Sequence, residues 1–168
     1  MASYVKKNLM NNEEIIHMAK VHWFIFIPGI TTIILSIIIM SKGISMADEV
    51  PNVAVPATIL FIVLLIGGFL SLAKAFIFKI STELAVTTKR VIAKTGFISR
   101  DTVELNHSRV ESFTVDQSIF GRIFNFGSIV IRGMGGGKTP IPNIDDPLRF
   151  RKEAMEIIDK VENANSND

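Results

Sequence analysis

The sequence predicts a membrane α plus soluble β protein: a two-helix transmembrane hairpin, then an antiparallel β-barrel or sandwich capped by a C-terminal α-helix. Three observations predict it. Two apolar runs, at 21–41 and 55–78, are each long enough to cross the roughly 30 Å hydrocarbon core of a bilayer. Short β-branched runs separated by turn residues fill 82–144. A single apolar stripe at helical spacing follows Asp146-Pro147.

Taken in order, residues 1–20 read as a cytoplasmic N-terminal segment in which Ile15, Ile16 and Met18 form an interfacial turn. The first span, VHWFIFIPGITTIILSIIIMS, is bounded by Lys20 and Lys42. It is too long for a signal-peptide core, and no small-residue cleavage site follows. Pro28-Gly29 in its first third offers a kink. Residues 42–54 form the connecting loop, and no charged residue occurs from Val50 to Ala73. Lys6, Lys7 and Lys20 precede the first span, and Lys79, Lys89, Arg90, Lys94 and Arg100 follow the second. The positive-inside rule therefore puts both termini in the cytoplasm and residues 42–54 outside. On the second span Gly67, Gly68 and Ser71, with Ala75, make a small-residue face for close helix approach. It suits packing on the first span or contact with another subunit.

Residues 79–163 form the cytoplasmic domain, and 164–168 a disordered polar tail. Strands are predicted at 82–88, 90–95, 102–105, 110–115, 128–132 and 139–144, the first two as a hairpin turning at Thr88-Lys89. Pro140 and Pro142 make the last an edge strand. Between the fourth and fifth lies QSIFGRIFNFG, a short helix or apolar loop whose Ile119, Phe120, Ile123 and Phe124 suit core packing or, alternatively, lipid or partner contact. Asp146 caps the final helix, Pro147 opens it, and Phe150, Ala154, Ile157, Ile158 and Val161 form its stripe.

These runs resemble a known family, the bacterial PH-like (pleckstrin-homology-like) domains found as membrane-flanked modules. The residues that carry the resemblance are Leu84-Ala85-Val86-Thr87-Thr88-Lys89-Arg90-Val91-Ile92 with Gly96, Glu104-Leu105, Val110-Glu111, Gln117-Ser118, Gly121-Arg122-Ile123, Gly127-Ser128-Ile129-Val130-Ile131 and Asn143-Ile144-Asp145-Asp146-Pro147. The resemblance implies a PH-like barrel with one end plugged by the helix, in the bacterial cytoplasmic (inner) membrane. PH domains bind phosphoinositides through basic residues near the first hairpin, the region that Lys89 and Arg90 occupy here.

The chemistry is sparse. With no Cys among 168 residues, thiolate metal sites, disulfides and Cys nucleophiles are excluded. A net charge of +2 gives no bulk argument for nucleic acid. RGMGGGKT at 132–139 ends like a phosphate-binding loop, but Arg132 stands where the first glycine is needed, and two prolines follow where a helix should start. His107-Ser108 has no ordered base and orienter. We expect no catalytic residues, no metal and no cofactor. Lys89, Arg90, Lys94 and Arg122 are the candidate headgroup or ligand contacts. Gly67, Gly68, Ser71, Ile119, Phe120 and Phe124 are the candidate oligomer or helix-packing positions. The leading expectation is a membrane-anchored interaction or scaffolding module that self-associates or binds a partner membrane protein. The first alternative is anionic-lipid or small-ligand sensing; the second is a subunit of an oligomeric pore or transporter.

Overall fold

The computed structural model describes residues 4–47, 50–97 and 100–165. The chain divides into two compact units: Trp23–Ile77, which is helical, and the segments up to His22 and from Phe78 onward, which together form a β unit.

In the helical unit a 3-10 turn over Trp23–Phe26 leads into α2, Ile27–Ala47, following the short α1 of the other unit, Tyr4–Lys7. A second 3-10 turn, Pro51–Val53, opens α3, Ala54–Ser81. Residues 48 and 49 lie outside the described residues. The first helix therefore runs on through Lys42 and Gly43 to Ala47, where a loop was expected. Pro28 falls in the first turn of α2, where a missing N–H costs nothing, so it opens the helix instead of interrupting it. The hydroxyls turn inward on their own helices. Thr32 donates to Pro28 O at 2.7 Å, Ser36 to Ile33 O at 2.7 Å and Thr58 to Ala54 O at 2.8 Å.

The β unit holds two antiparallel sheets. One has the order β1-β2-β3-β4, from Ile15–Ala19, Glu83–Thr87, Arg90–Thr95 and Asp101–Asn106. The other has the order β5-β6-β7, from Val110–Asp116, Phe126–Gly133 and Lys138–Asp145. The expected β2–β3 hairpin is present, with Leu84 opposite Ala93 and Val86 opposite Val91.

The N-terminal segment corrects the sequence reading. Ile15, Ile16 and Met18 belong to a strand, not an interfacial turn: Met18 pairs with Ala85 and Ala19 with Leu84. The whole helical hairpin is thus an insertion between two neighbouring strands of one sheet. The physical reason is burial. Ala85 and Ile92, with Val5, form a buried cluster against which Ile15, Met18, Tyr4 and Leu9 pack, so apolar area is removed from water on the sheet instead of at a lipid interface.

Past β1 the chain crosses to the other sheet. Val21 bridges Ile144, His22 N donates to Asn143 O at 2.7 Å, and Asp145 N donates to Lys20 O at 2.8 Å. The end of β7 beyond its prolines, at residues 143–145, is paired there. α5, Pro147–Asn165, buries Phe150, Ala154 and Ile158, and Phe150 meets Phe113 edge-on. Of the stripe predicted for this helix, Phe150, Ala154 and Ile158 are buried, and Ile157 and Val161 are half-buried.

Candidate functional site

Three of the four candidate basic residues stand on the β2–β3 hairpin, and all three are engaged by the N-terminal strap. Arg90 is only 6% exposed. Its Nε and one terminal nitrogen donate to the two carboxylate oxygens of Glu13, each at 3.0 Å. That terminal nitrogen also donates to Asn8 O, and the other one to Glu104. The Thr87 hydroxyl donates to Glu13 at 2.7 Å, and Met10 N–H donates to the same carboxylate. Burial pushes the Glu13 carboxyl up. The Arg90 guanidinium, Met10 N–H and Thr87 hydroxyl outweigh it and hold the carboxyl below its ordinary value. Hydrogen bonding to Glu13 likewise raises Arg90 above the usual arginine value.

Lys89 donates from Nζ to Asn11 O at 2.7 Å. Lys94 lies 3.8 Å from the Glu83 carboxylate and 5.1 Å over the Tyr4 ring. Glu83 in turn accepts from Tyr4 N and Val5 N. Lys89, Arg90 and Lys94, three of the four residues named as headgroup contacts, therefore clamp residues 4–14 onto the sheet. Arg90 is held within the fold: four of the five N–H groups of its guanidinium donate to Glu13, Asn8 O and Glu104. Sequence reasoning missed Glu13 because it lies 77 positions away. The one available signal was Glu13-Glu14 ahead of an apolar run in a segment otherwise rich in lysine.

Arg122 is elsewhere, on the short α4, Ile119–Ile123, between β5 and β6. It is exposed, and the structure does not gather it with the other three. On the same turn the expectation of core packing fails. Ile119, Phe120, Ile123 and Phe124 are all exposed, because Gly121 is the residue turned inward.

The small-residue positions of α3 split. Gly68 is buried against α2: a Cβ there would lie 2.5 Å from the Ile33 side chain and 3.2 Å from Gly29 O. Gly67 has nothing within 4 Å, and Ser71 is half-buried. The glycine-rich 133–137 segment is the β6–β7 turn, closed by Gly136 N to Gly133 O, and a strand follows at Lys138. His107 is buried with Nε2 2.9 Å from Thr87 O, which makes it part of the sheet's polar bracing. A cleft of about 250 Å³ is lined by His17, Lys20, Asp145, Arg149 and Phe150 along β1, the end of β7 and α5.

The order of elements, four strands, three strands and a closing helix, is that of a PH-like fold, and a family profile described as bacterial PH domain matches residues 23–164. The chain belongs to the bacterial PH domain family. A solved structure, a DUF1696 family protein with a pleckstrin-homology domain from Shewanella loihica PV-4, is similar at 8% identity and a TM-score of 0.42. The match covers 92% of this chain and 89% of that one. None of the curated proteins matches the chain. Members of the bacterial PH domain family are typically binding modules, not enzymes, and membership suggests an interaction module here too.

Proposed function

We propose that this bacterial PH domain protein is a membrane-anchored interaction module at the cytoplasmic face of the inner membrane, acting by self-association or by binding a partner membrane protein. The observation that carries the reading is the insertion of two long apolar helices between adjacent strands. The helices run over Trp23–Met46 and Ala54–Ser81, with mean hydropathies of 2.3 and 2.5. At about 1.5 Å per residue each exceeds a hydrocarbon core. Only 11% and 6% of their apolar windows are buried. A surface of that size and character is unstable in water and suited to lipid. Satisfying Thr32, Ser36 and Thr58 on their own helices is what a medium without hydrogen-bonding partners requires.

Connectivity supports the topology. Because Ala19 pairs with Leu84, β1 and β2 belong on one side of any bilayer, and the insertion between them crosses an even number of times. Two helices meet that condition. The lysine and arginine bias of the flanks supports a β unit on the inner side.

Absence of cysteine makes the test direct. Single cysteines at Asn52 and at Glu111 are probed with a membrane-impermeant maleimide in intact cells. Asn52→Cys is expected to label, and Glu111→Cys only after permeabilisation. Labelling of both in intact cells, or recovery of the chain in the soluble fraction, overturns the topology. Association is tested by the mass of the particle in native nanodiscs. A chain that is monomeric and free of any stoichiometric protein removes the interaction part of the reading.

A further inference from the structure

The β unit carries an apolar surface that its own core does not use. Ile119, Phe120 and Ile123 are 78, 63 and 68% exposed, and all three lie on α4. Their outward orientation is fixed from inside the turn. Gly121 is buried so tightly that a Cβ would lie 2.5 Å from Phe126 O. Ser118 Oγ accepts from Gly121 N at 3.1 Å, and Gln117 Nε2 donates to Phe126 O at 3.1 Å. With residue 121 held inward, the side chains on either side of it are held outward. Arg122 is exposed in the same turn.

The position of this turn within the β unit gives it a direction. Phe126, just beyond α4, stacks its ring on His22 with centroids 5.2 Å apart. His22 is the last residue of the β unit before the chain enters the hairpin. Val21 bridges Ile144, which pairs with Gly127. α4 therefore stands at the end of the β unit from which the hairpin departs.

We propose that α4 is a membrane-inserting turn: Ile119, Phe120 and Ile123 enter the interfacial layer of the bilayer, and Arg122 contacts anionic headgroups. The proposal rests on the reading that the hairpin spans that bilayer. Lipid fits better than a protein partner. Ser118 Oγ and Gln117 Nε2 are engaged within the turn, which leaves the apolar side chains as the outermost groups of its tip. Large aliphatic and aromatic side chains beside a cation are what an interfacial element needs, reaching roughly 5–10 Å into the headgroup boundary.

The test uses the full chain in vesicles of phosphatidylcholine with phosphatidylglycerol, brominated at shallow or deep acyl positions. Trp23 is the only tryptophan, so Trp23→Phe leaves a dark background. Phe120→Trp is then added, with Ile119→Trp as a second site and Val63→Trp in α3 as a marker of the anchor. The expected result is blue-shifted emission at 119 and 120, quenched most by shallow bromines, and quenching at 63 as well. Arg122→Glu is expected to weaken quenching at 120 in vesicles containing phosphatidylglycerol. Quenching at 63, with 119 and 120 reached only by aqueous iodide, overturns the inference and leaves the anchor standing. Shielding of 119 and 120 from both quenchers, in a particle holding more than one chain, assigns the face to a second copy and also overturns it. No quenching at 63 removes the anchor and the inference together.

Discussion

Arg90 shows how far a residue's meaning depends on partners distant in sequence. Read alone, Lys89-Arg90 at a hairpin turn is a basic patch. In the fold, Arg90 neutralises Glu13, whose side chain is wholly buried. Removing one partner of a buried pair costs about 3–5 kcal/mol, because the other charge is left without compensation. Arg90→Ala is therefore expected to lower the thermal midpoint of the β unit sharply. Lys89→Ala, which loses only an exposed bond to a carbonyl, should shift stability by less than about 0.5 kcal/mol. Circular dichroism melts of the full chain in detergent distinguish the two. The same pair sets an acid dependence. Glu13 has a folded value below its ordinary 4.5. Its contribution is thus complete above about pH 4.5 and is lost as pH falls through the lower, folded value. Arg90 adds no slope there, since its raised value lies far above that window. Wild type should lose thermal stability more steeply than Glu13→Gln/Arg90→Met below pH 4.5. Parallel pH profiles would count against this assignment.

Elements were legible where their pattern is local. The β2–β3 hairpin announced itself through Thr88-Lys89 between β-branched runs, and α5 through a stripe that repeats every turn. The apolar runs of α2 and α3 needed only counting, although the end of α2 did not, because Lys42 reads as a boundary and is helical. β1 was illegible. IIHMA lacks clean alternation, and its partner strand begins more than 60 residues later, beyond the hairpin. α4 misled for a different reason. Apolar density reads as core, whereas a single inward glycine decides which way the turn faces. The α3 glycines give the prediction belonging to this scale. Gly68→Leu must displace Ile33 and press on Gly29 O, so it should destabilise the helical pair. Gly67→Leu meets open space and should leave the hairpin intact. If copies of the chain associate through that face of α3, Gly67→Leu also reduces the particle mass in nanodiscs. Equal effects of the two substitutions on hairpin stability would contradict the split.

At the scale of the whole molecule, the β unit is assembled from two pieces of chain that flank the apolar helical insertion. Residues 78–165 alone lack β1, the strap that buries Val5 and the carboxylate that neutralises Arg90. Without them β2 becomes an exposed apolar edge, which favours aggregation over folding. We expect residues 78–165, expressed alone, to be insoluble or unfolded. Joining residues 4–22 to 78–165 through a flexible linker should restore a folded unit, because the antiparallel Ala19–Leu84 pair holds the two segments on neighbouring strands. The paired residues lie about 5 Å apart, and the three residues after Ala19 and six before Leu84 add at most about 30 Å at about 3.3 Å per residue, so a linker of some ten Gly and Ser residues suffices. A cooperative melt and dispersed amide spectrum for the joined chain, set against neither for 78–165, would establish that the fold closes through its N-terminus. A folded 78–165 would instead show that β1 and the strap dock onto a domain already complete, and that the hairpin is attached to the β unit rather than inserted in it.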